Sequence, residues 1–282
     1  MANWQLFNGE FVKEEVAVLP TSNRGFCYGD GFFESMRVSN GKVPFVAQHW
    51  QRILSATDFL RIQLPENFTP ESFNQAIVAL AAKNGLKNAR IRFQGYRDGS
   101  GRYFPVNNGL GWSMVCQALE SPSYDCNSKG LKVDVCATHH INPAPQSFFK
   151  SSNSLPYIMG GIFADENGLD DCFILDSEGF IAEATGSNVF VCKGTQLITP
   201  DLSNGGVKGV MRNVVLANAG EAGFTVSEEL ITLDDVIEAD ECFLTNASKG
   251  LQWIGAIRKK RFYKRVSVRL TEHINRKYGL IS

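Results

Sequence analysis

The residues that could do chemistry sit in a few short stretches. Lys150 stands in 146-QSFFKSSNS-154, after Phe148 and Phe149 and ahead of small polar residues. An amine partly desolvated by such neighbours loses basicity and becomes a usable nucleophile or base. The plainer alternative is a surface lysine at a helix start. Glu183 interrupts the apolar run of 176-DSEGFIAEATGSNVFV-191. A carboxylate entering a buried strand needs a partner, which could be a lysine, an arginine or a protonated ring nitrogen. A solvent-facing strand residue is the alternative there.

Three further stretches are weaker alone. In 205-GGVKGVMRNVV-215 a glycine-rich loop opens a helix, and the N–H groups of Val210 and Met211 would face an anion. No Gly-Lys-Ser/Thr ends the loop and the dinucleotide spacing is missing, so it matches neither standard phosphate motif. The stretch 244-LTNASKG-250 offers Thr245, Asn246 and Ser248 as donors in a tight turn, or is an ordinary loop. Arg52, three residues after His49, could reach an anion or pair with a neighbouring acid. Finally, 24-RGFCYGDGFFESMRV-38 sets glycines beside Phe32 and Phe33. A strand whose backbone passes close to a ligand would explain both residue types.

Elements must hold these residues in place. In the first part, Asn8-Gly9 and Asn40-Gly41 read as hairpin turns. Helices are expected at 45–62 and 70–85, the second capped by Thr69, begun by Pro70 and stopped by Gly85. Strands follow at 89–97 and 111–119. The polar stretch 120-ESPSYDCNSKG-130 reads as a linker. Beyond it strands alternate with helices near 154–167 and 209–222. The expectation is therefore an α/β (α+β) protein with mixed sheets. It has a smaller domain over 1–119, a linker over 120–130 and a larger domain over 131–282 that carries Lys150.

Composition narrows the function. The 282 residues are 44% hydrophobic, enough for a substantial core, and 28 basic residues nearly balance 29 acidic ones. No overall field draws the chain to nucleic acid or to an acidic membrane. The basic run 258-RKKRFYKRVSVR-269 reads as a lysine-guarded edge strand leading into the last helix. No leader is read in MANWQLFNGE, and no segment is apolar enough to span a bilayer. The 7 cysteines form no C-x-x-C pair, so neither a disulfide framework nor a metal site is expected. Cytoplasmic localisation is the expectation.

Together and in this order, YGDGFFE, Lys150 with the downstream E-A-T-G-S-N-V-F, K-G-V-M-R and T-N-A-S resemble the class IV pyridoxal-phosphate enzymes. That family includes branched-chain and D-amino-acid aminotransferases and 4-amino-4-deoxychorismate lyases. The resemblance runs over almost the whole chain and implies the two-domain fold type IV. It implies that Lys150 forms a Schiff base with pyridoxal 5'-phosphate and that Glu183 pairs with the pyridine nitrogen, keeping the ring an electron sink. It implies that Arg52, Val210, Met211 and Ser248 hold the phosphate and that Asn188 braces the cofactor strand. Phe33 would be an apolar substrate wall, with Asp30 and Glu34 as structural acids. Asn246 and Ala247 would border the substrate. A homodimer follows by the same analogy.

Departures from the family patterns bear on the substrate. Leu155 stands where the best-known branched-chain enzymes carry a tyrosine, five residues after the lysine. In 99-GSGRYFP-105 the carboxylate clamp of the D-amino-acid enzymes is absent, leaving Arg97, Arg102 and Tyr103 as candidates. Met211 replaces the threonine typical of transaminases, and G-V-M-R and T-N-A-S lean towards the lyases. The expected activity is amino-group transfer between a branched-chain type amino acid and a 2-oxo acid. The alternative is release of pyruvate and 4-aminobenzoate from aminodeoxychorismate. A non-catalytic binding module would have lost Lys150 or Glu183, and both are present.

Overall fold

The computed structural model describes residues 3–281; Met1 and Ala2, which begin the stretch read for a leader, and Ser282 lie outside the described residues. The chain divides into two compact units, one made of residues 1–122 with 149–153, the other of 123–148 with 154–282.

The first unit is a five-stranded antiparallel sheet with two long helices. Its elements are β1 (Trp4–Phe7), β2 (Glu10–Lys13), the short helix α1 (Arg24–Tyr28), β3 (Gly31–Val38), α2 (Val46–Leu60), α3 (Pro70–Lys83), β4 (Ala89–Asp98) and β5 (Gly109–Ala118). The sheet order is β2-β1-β5-β4-β3. Asn8 and Gly9 take positive φ (47° and 91°), the conformation a two-residue hairpin needs. Asn40 and Gly41 also turn, but only Ser39 and Lys42 pair across them, so no second strand forms. Thr69 and Ser72 cap α3 reciprocally. Period-2 alternation along β4 sends Ile91 and Phe93 into a core shared with Ile53, Phe73, Ile77 and Met114. The stretch read as one strand from Arg24 is in fact a helical turn followed by β3. Asn23 caps the turn and Gly29, at φ 64°, ends it.

The second unit is built on a nine-stranded mixed sheet. In chain order it holds β6 (Leu131–Ile141), α4 (Leu155–Glu166), β7 (Asp171–Asp176), β8 (Ile181–Ala184), β9 (Asn188–Lys193) and β10 (Gln196–Pro200). Then come α5 (Val210–Asn218), β11 (Thr225–Glu229), α6 (Leu233–Glu238), β12 (Glu241–Asn246), β13 (Gly250–Ile257), β14 (Lys260–Arg261) and α7 (Val266–Lys277). The order is β11-β10-β9-β12-β13-β6-β7-β8, with β14 on β13. The pairs β10–β11, β6–β13 and β6–β7 are parallel and the rest antiparallel. The expected α/β (α+β) architecture is the one observed, and the sheet of the second unit is mixed as expected while that of the first is antiparallel throughout.

The division between units departs from the sequence reading in two places. Lys150 was expected in the larger domain, yet residues 149–153 belong to the first unit. They add to β3 as a short edge: Phe33 N donates to Lys150 O at 2.8 Å, Ser152 N donates to Gly31 O at 3.0 Å, and Ser151 bridges Phe32. The 120–130 stretch is not a free tether either. Tyr124 is buried; its N–H and C=O pair with the Asn275 side chain and its hydroxyl donates to Ala247 O at 2.8 Å. Turn-forming composition hid that one aromatic anchor.

Candidate active site

In the first unit the chemistry gathers on β3 and its neighbours. Lys150 backbone is fixed by the β3 edge pairing, and its Nζ lies 5.1 Å from the centre of the Phe33 ring. Phe149 is buried against Phe59, with ring centres 5.7 Å apart, whereas Phe148 is exposed. Only one of the two flanking phenylalanines therefore shields the lysine segment within this unit. Arg92 places its guanidinium carbon 3.5 Å from the centre of the same Phe33 ring. Burial and the charge of Arg90 lower Arg92 to about 10, Glu34 opposing, so it stays a cation at neutral pH.

Behind that ring lies a buried charge network. Arg52 grips Glu34 with both ends of its fork: Nε donates to Oε1 at 2.6 Å and Nη2 to Oε2 at 2.7 Å. His49 Nδ1 lies 2.7 Å from Glu34 Oε2. Burial alone would raise the Glu34 carboxyl, but the charge and hydrogen bonds of Arg52, with those of His49, bring it down to about 2. Burial lowers His49, against the Glu34 hydrogen bond and charge that raise it, and Arg52 and Lys150 add to the lowering. Glu34 is thus a structural acid that fixes Arg52, on which the sequence reading weighed an anion site against an ion pair. Asp30 serves likewise: its Oδ2 accepts from Arg24 Nε at 2.8 Å and Arg97 Nε at 3.0 Å.

The second unit carries the acid. Glu183 is 3% exposed on β8, and Tyr157, Asn188 and Val207 are among its hydrogen-bond donors. Tyr157 Oη donates to Oε1 at 2.6 Å; Asn188 Nδ2 at 3.3 Å and the Val207 N–H at 3.2 Å donate to Oε2. Asn188 also donates to Val207 O at 2.8 Å, tying β9 to the glycine-rich loop. That loop must approach closely, since a Cβ on Gly209 would stand 1.9 Å from Asn188 Oδ1. Helix α5 then starts at Val210 with no side chain capping it, so the N–H groups of Val210 and Met211 begin an uncapped helix. In the β12–β13 turn, the Ser248 N–H and hydroxyl both donate to Asn246 Oδ1, at 2.9 and 2.7 Å, and Asn246 Nδ2 donates to Gly186 O at 2.5 Å. Ala247 lends its carbonyl to Tyr124.

The candidates for a substrate carboxylate fare differently. Arg97 is buried, and its fork is committed to Asp30, Asn108 Oδ1, Leu60 O and Arg61 O. Arg102 and Tyr103 stand exposed on their loop. Two side chains absent from the sequence candidates make the contacts just described: Arg92 with the Phe33 ring and Tyr157 with Glu183. A signal for Arg92 existed. Strict alternation in 89-ARIRFQ-94 puts it on one face with Gln94, the residue registered opposite Phe33. Tyr157 had none, because its partner is supplied by tertiary packing.

The second unit fits a cofactor with polar substituents. Buried polar groups are normally hydrogen-bonded, yet among the described residues Thr245 Oγ1 is buried without a partner. Thr245 is registered opposite Asn188, so the orphaned hydroxyl and the Glu183 brace share one face of the sheet. An acid held by buried donors, an uncapped helix start and an unsatisfied hydroxyl suit a phosphorylated pyridinium. Among the described residues no cluster of His, Cys, Asp or Glu could hold a metal ion, and no helix is long and apolar enough to cross a membrane.

Residues 31–257 match the family model described as amino-transferase class IV. A protein of Methanocaldococcus jannaschii with a provisional branched-chain-amino-acid aminotransferase name is 33% identical over 251 residues, 86% of this chain and 83% of that one. The branched-chain-amino-acid aminotransferase of Pseudomonas aeruginosa is 28% identical, over 86% of this chain and 80% of its own. The aminodeoxychorismate lyase of Vibrio harveyi is 25% identical, over 85% of this chain and 87% of its own. Among solved structures, the branched-chain aminotransferase of Thermoproteus uzoniensis superposes with a TM-score of 0.89 at 22% identity, covering 99% of this chain and 96% of that one. That last likeness speaks to the fold alone.

Proposed function

We propose, on the premise that this chain belongs to the class IV aminotransferase family and is a pyridoxal-phosphate-dependent enzyme, that it moves an amino group between a branched-chain type amino acid and a 2-oxo acid. The observation that carries this reading is the pairing of Lys150 and Arg92 on one phenylalanine ring, Phe33. A reactive amine, a fixed cation and an apolar wall are what an amino acid with an apolar side chain requires. The 33% identity to the Methanocaldococcus jannaschii protein supports the same substrate class.

Bound pyridoxal phosphate supplies an aldehyde that takes up amino groups and a ring that accepts electrons. Lys150 Nζ would hold that aldehyde and would be the base that moves the proton of the substrate Cα. Glu183, which accepts from Tyr157, Asn188 and Val207, would face the pyridine nitrogen and hold a proton there. The Val210 and Met211 N–H groups and Arg52, clamped by Glu34, would hold the phosphate, and Ser248 could join them only by releasing Asn246 Oδ1. Asn188 braces Glu183. Arg92 orients the substrate carboxylate and Phe33 excludes water beside it; Asn246 and Ala247 border the substrate from the β12–β13 turn. Arg102 and Tyr103 can contribute only from an exposed loop.

We read the enzyme as a cytoplasmic homodimer, in keeping with seven free cysteines and with the exposed apolar residues Tyr103, Phe104 and Val106. Lyase chemistry on aminodeoxychorismate is the second reading, favoured by Met211 in the phosphate loop and by the Vibrio harveyi relative. Purified protein mixed with isoleucine and 2-oxoglutarate, and separately with aminodeoxychorismate, tells them apart. Glutamate formation in the first is the expected result; pyruvate and 4-aminobenzoate in the second alone would replace transamination with the lyase reading.

A further inference from the structure

The Glu183 carboxylate has an unusual third donor. Val207 N–H and Asn188 Nδ2 reach Oε2 at 3.2 and 3.3 Å, whereas Tyr157 Oη reaches Oε1 at 2.6 Å. That length lies in the charge-assisted O–H···O⁻ range, so the phenol is the strongest of the three. Tyr157 lies two residues into α4 and its ring packs against the buried Ile141, Ile174 and Ala182. This cluster fixes the direction of the hydroxyl. Burial, with the charge and hydrogen bond of Glu183, drives the phenol well above its ordinary range, so it remains a donor at every working pH. A phenol that stays protonated gives a carboxylate a charge-assisted hydrogen bond, stronger than any it makes with the carboxylic acid.

We propose that Tyr157 is a positioning residue that holds Glu183 in its anionic form and thereby keeps the shared proton on the ring nitrogen of the bound cofactor. The inference rests on the reading of Glu183 as the acid facing that nitrogen. The proton balance is simple. With Tyr157 in place the pair is carboxylate and pyridinium. Without it the carboxylate becomes more basic, and the same proton moves from nitrogen to oxygen. Nothing else is gained or lost. The ring then draws electrons less strongly, although every group that touches it is unchanged.

The test uses holoprotein reconstituted with pyridoxal phosphate labelled with nitrogen-15 in the ring. The nitrogen chemical shift is followed from acid to alkaline pH in wild type, Tyr157→Phe and Glu183→Gln. Loss of one hydrogen bond to a charged group should lower the pH at which the nitrogen loses its proton by about 1–2 units in Tyr157→Phe. If Tyr157→Phe titrates like wild type while Glu183→Gln is displaced, Tyr157 only packs, and the Glu183 assignment survives. If neither variant moves the titration, the Glu183 assignment falls and this inference with it. Should Tyr157→Phe fail to take up cofactor, the carbon-13 signal of the Glu183 carboxyl in apoprotein gives the same answer. It should titrate at higher pH than in wild type, and an unchanged midpoint overturns the proposal.

Discussion

Lys150 Nζ stands 5.1 Å from the centre of the Phe33 ring, the same ring that Arg92 meets at 3.5 Å. One aromatic side chain thus serves two cations with different tasks. A cation over a ring is stabilised by about 0.5–2 kcal/mol, more when desolvated. Phe33→Leu keeps an apolar wall but removes the ring, so kcat/KM should fall roughly 3- to 30-fold. Phe33→Tyr should retain most of the activity. Equal losses in both variants, measured by steady-state kinetics, would show that shape alone matters at this position.

Glu34 joins Arg52 and His49 in a buried network, and its effect on stability has a definite sign with pH. Its folded-state value, about 2, lies below its ordinary 4.5, and His49 is also lowered from 6.5. Both contributions are therefore fully present above the unfolded values and are lost as pH falls. His49 begins the loss near its ordinary value, and Glu34 continues it down to about pH 2. The Glu34 share is on the order of 3 kcal/mol. Glu34→Gln should cost about 3–5 kcal/mol at neutral pH, because Arg52 is left buried without its anion. Urea midpoints taken from neutral to acid pH should converge for the two proteins; a gap that stays constant would contradict this account.

Gly209 is required by a close approach rather than by backbone strain. A Cβ there would sit 1.9 Å from Asn188 Oδ1. Gly209→Ala must displace Asn188, which braces Glu183 and the Val207 carbonyl. Overpacking of this kind costs roughly 1–3 kcal/mol. The variant should melt lower than wild type and bind pyridoxal phosphate more weakly in reconstitution titrations. Wild-type affinity in Gly209→Ala would mean that the Asn188 brace does not support the cofactor.

Glu183→Ala removes the acid but leaves the α5 start and Arg52, so the protein should still take up pyridoxal phosphate. Turnover should fall roughly 100-fold or more, because the ring nitrogen would lose the carboxylate that keeps it protonated. Absorbance of the bound cofactor and single-turnover kinetics separate the two effects. Unchanged turnover would remove Glu183 from its assigned role.

Sequence and structure agree where a local rule decides. The cap at Thr69, the turn at Asn8-Gly9 and the alternation of β4 each follow from near neighbours in the chain, and each is observed. The partners of Arg52 and the burial of Glu183 depend on residues brought together only by folding. For both residues the sequence left two readings open. Lys150 is the instructive case. A desolvated amine could be suspected from Phe148, Phe149 and the small residues after them, with a surface lysine as the alternative, but its address could not be read. The edge pairing with β3 joins positions far apart in the chain, and it puts the lysine in the first unit. Arg97 misled for the same reason. An arginine on a strand near the loop looks available until Asp30, Asn108 and two carbonyls close around it.

The central assignment is the amine of Lys150, and borohydride reduction tests it directly. Protein loaded with pyridoxal phosphate is reduced, digested and read by mass spectrometry. The account predicts a phosphopyridoxyl mass on the peptide containing Lys150 and none in Lys150→Ala. A label on any other lysine, or the same labelled yield from Lys150→Ala, would contradict it.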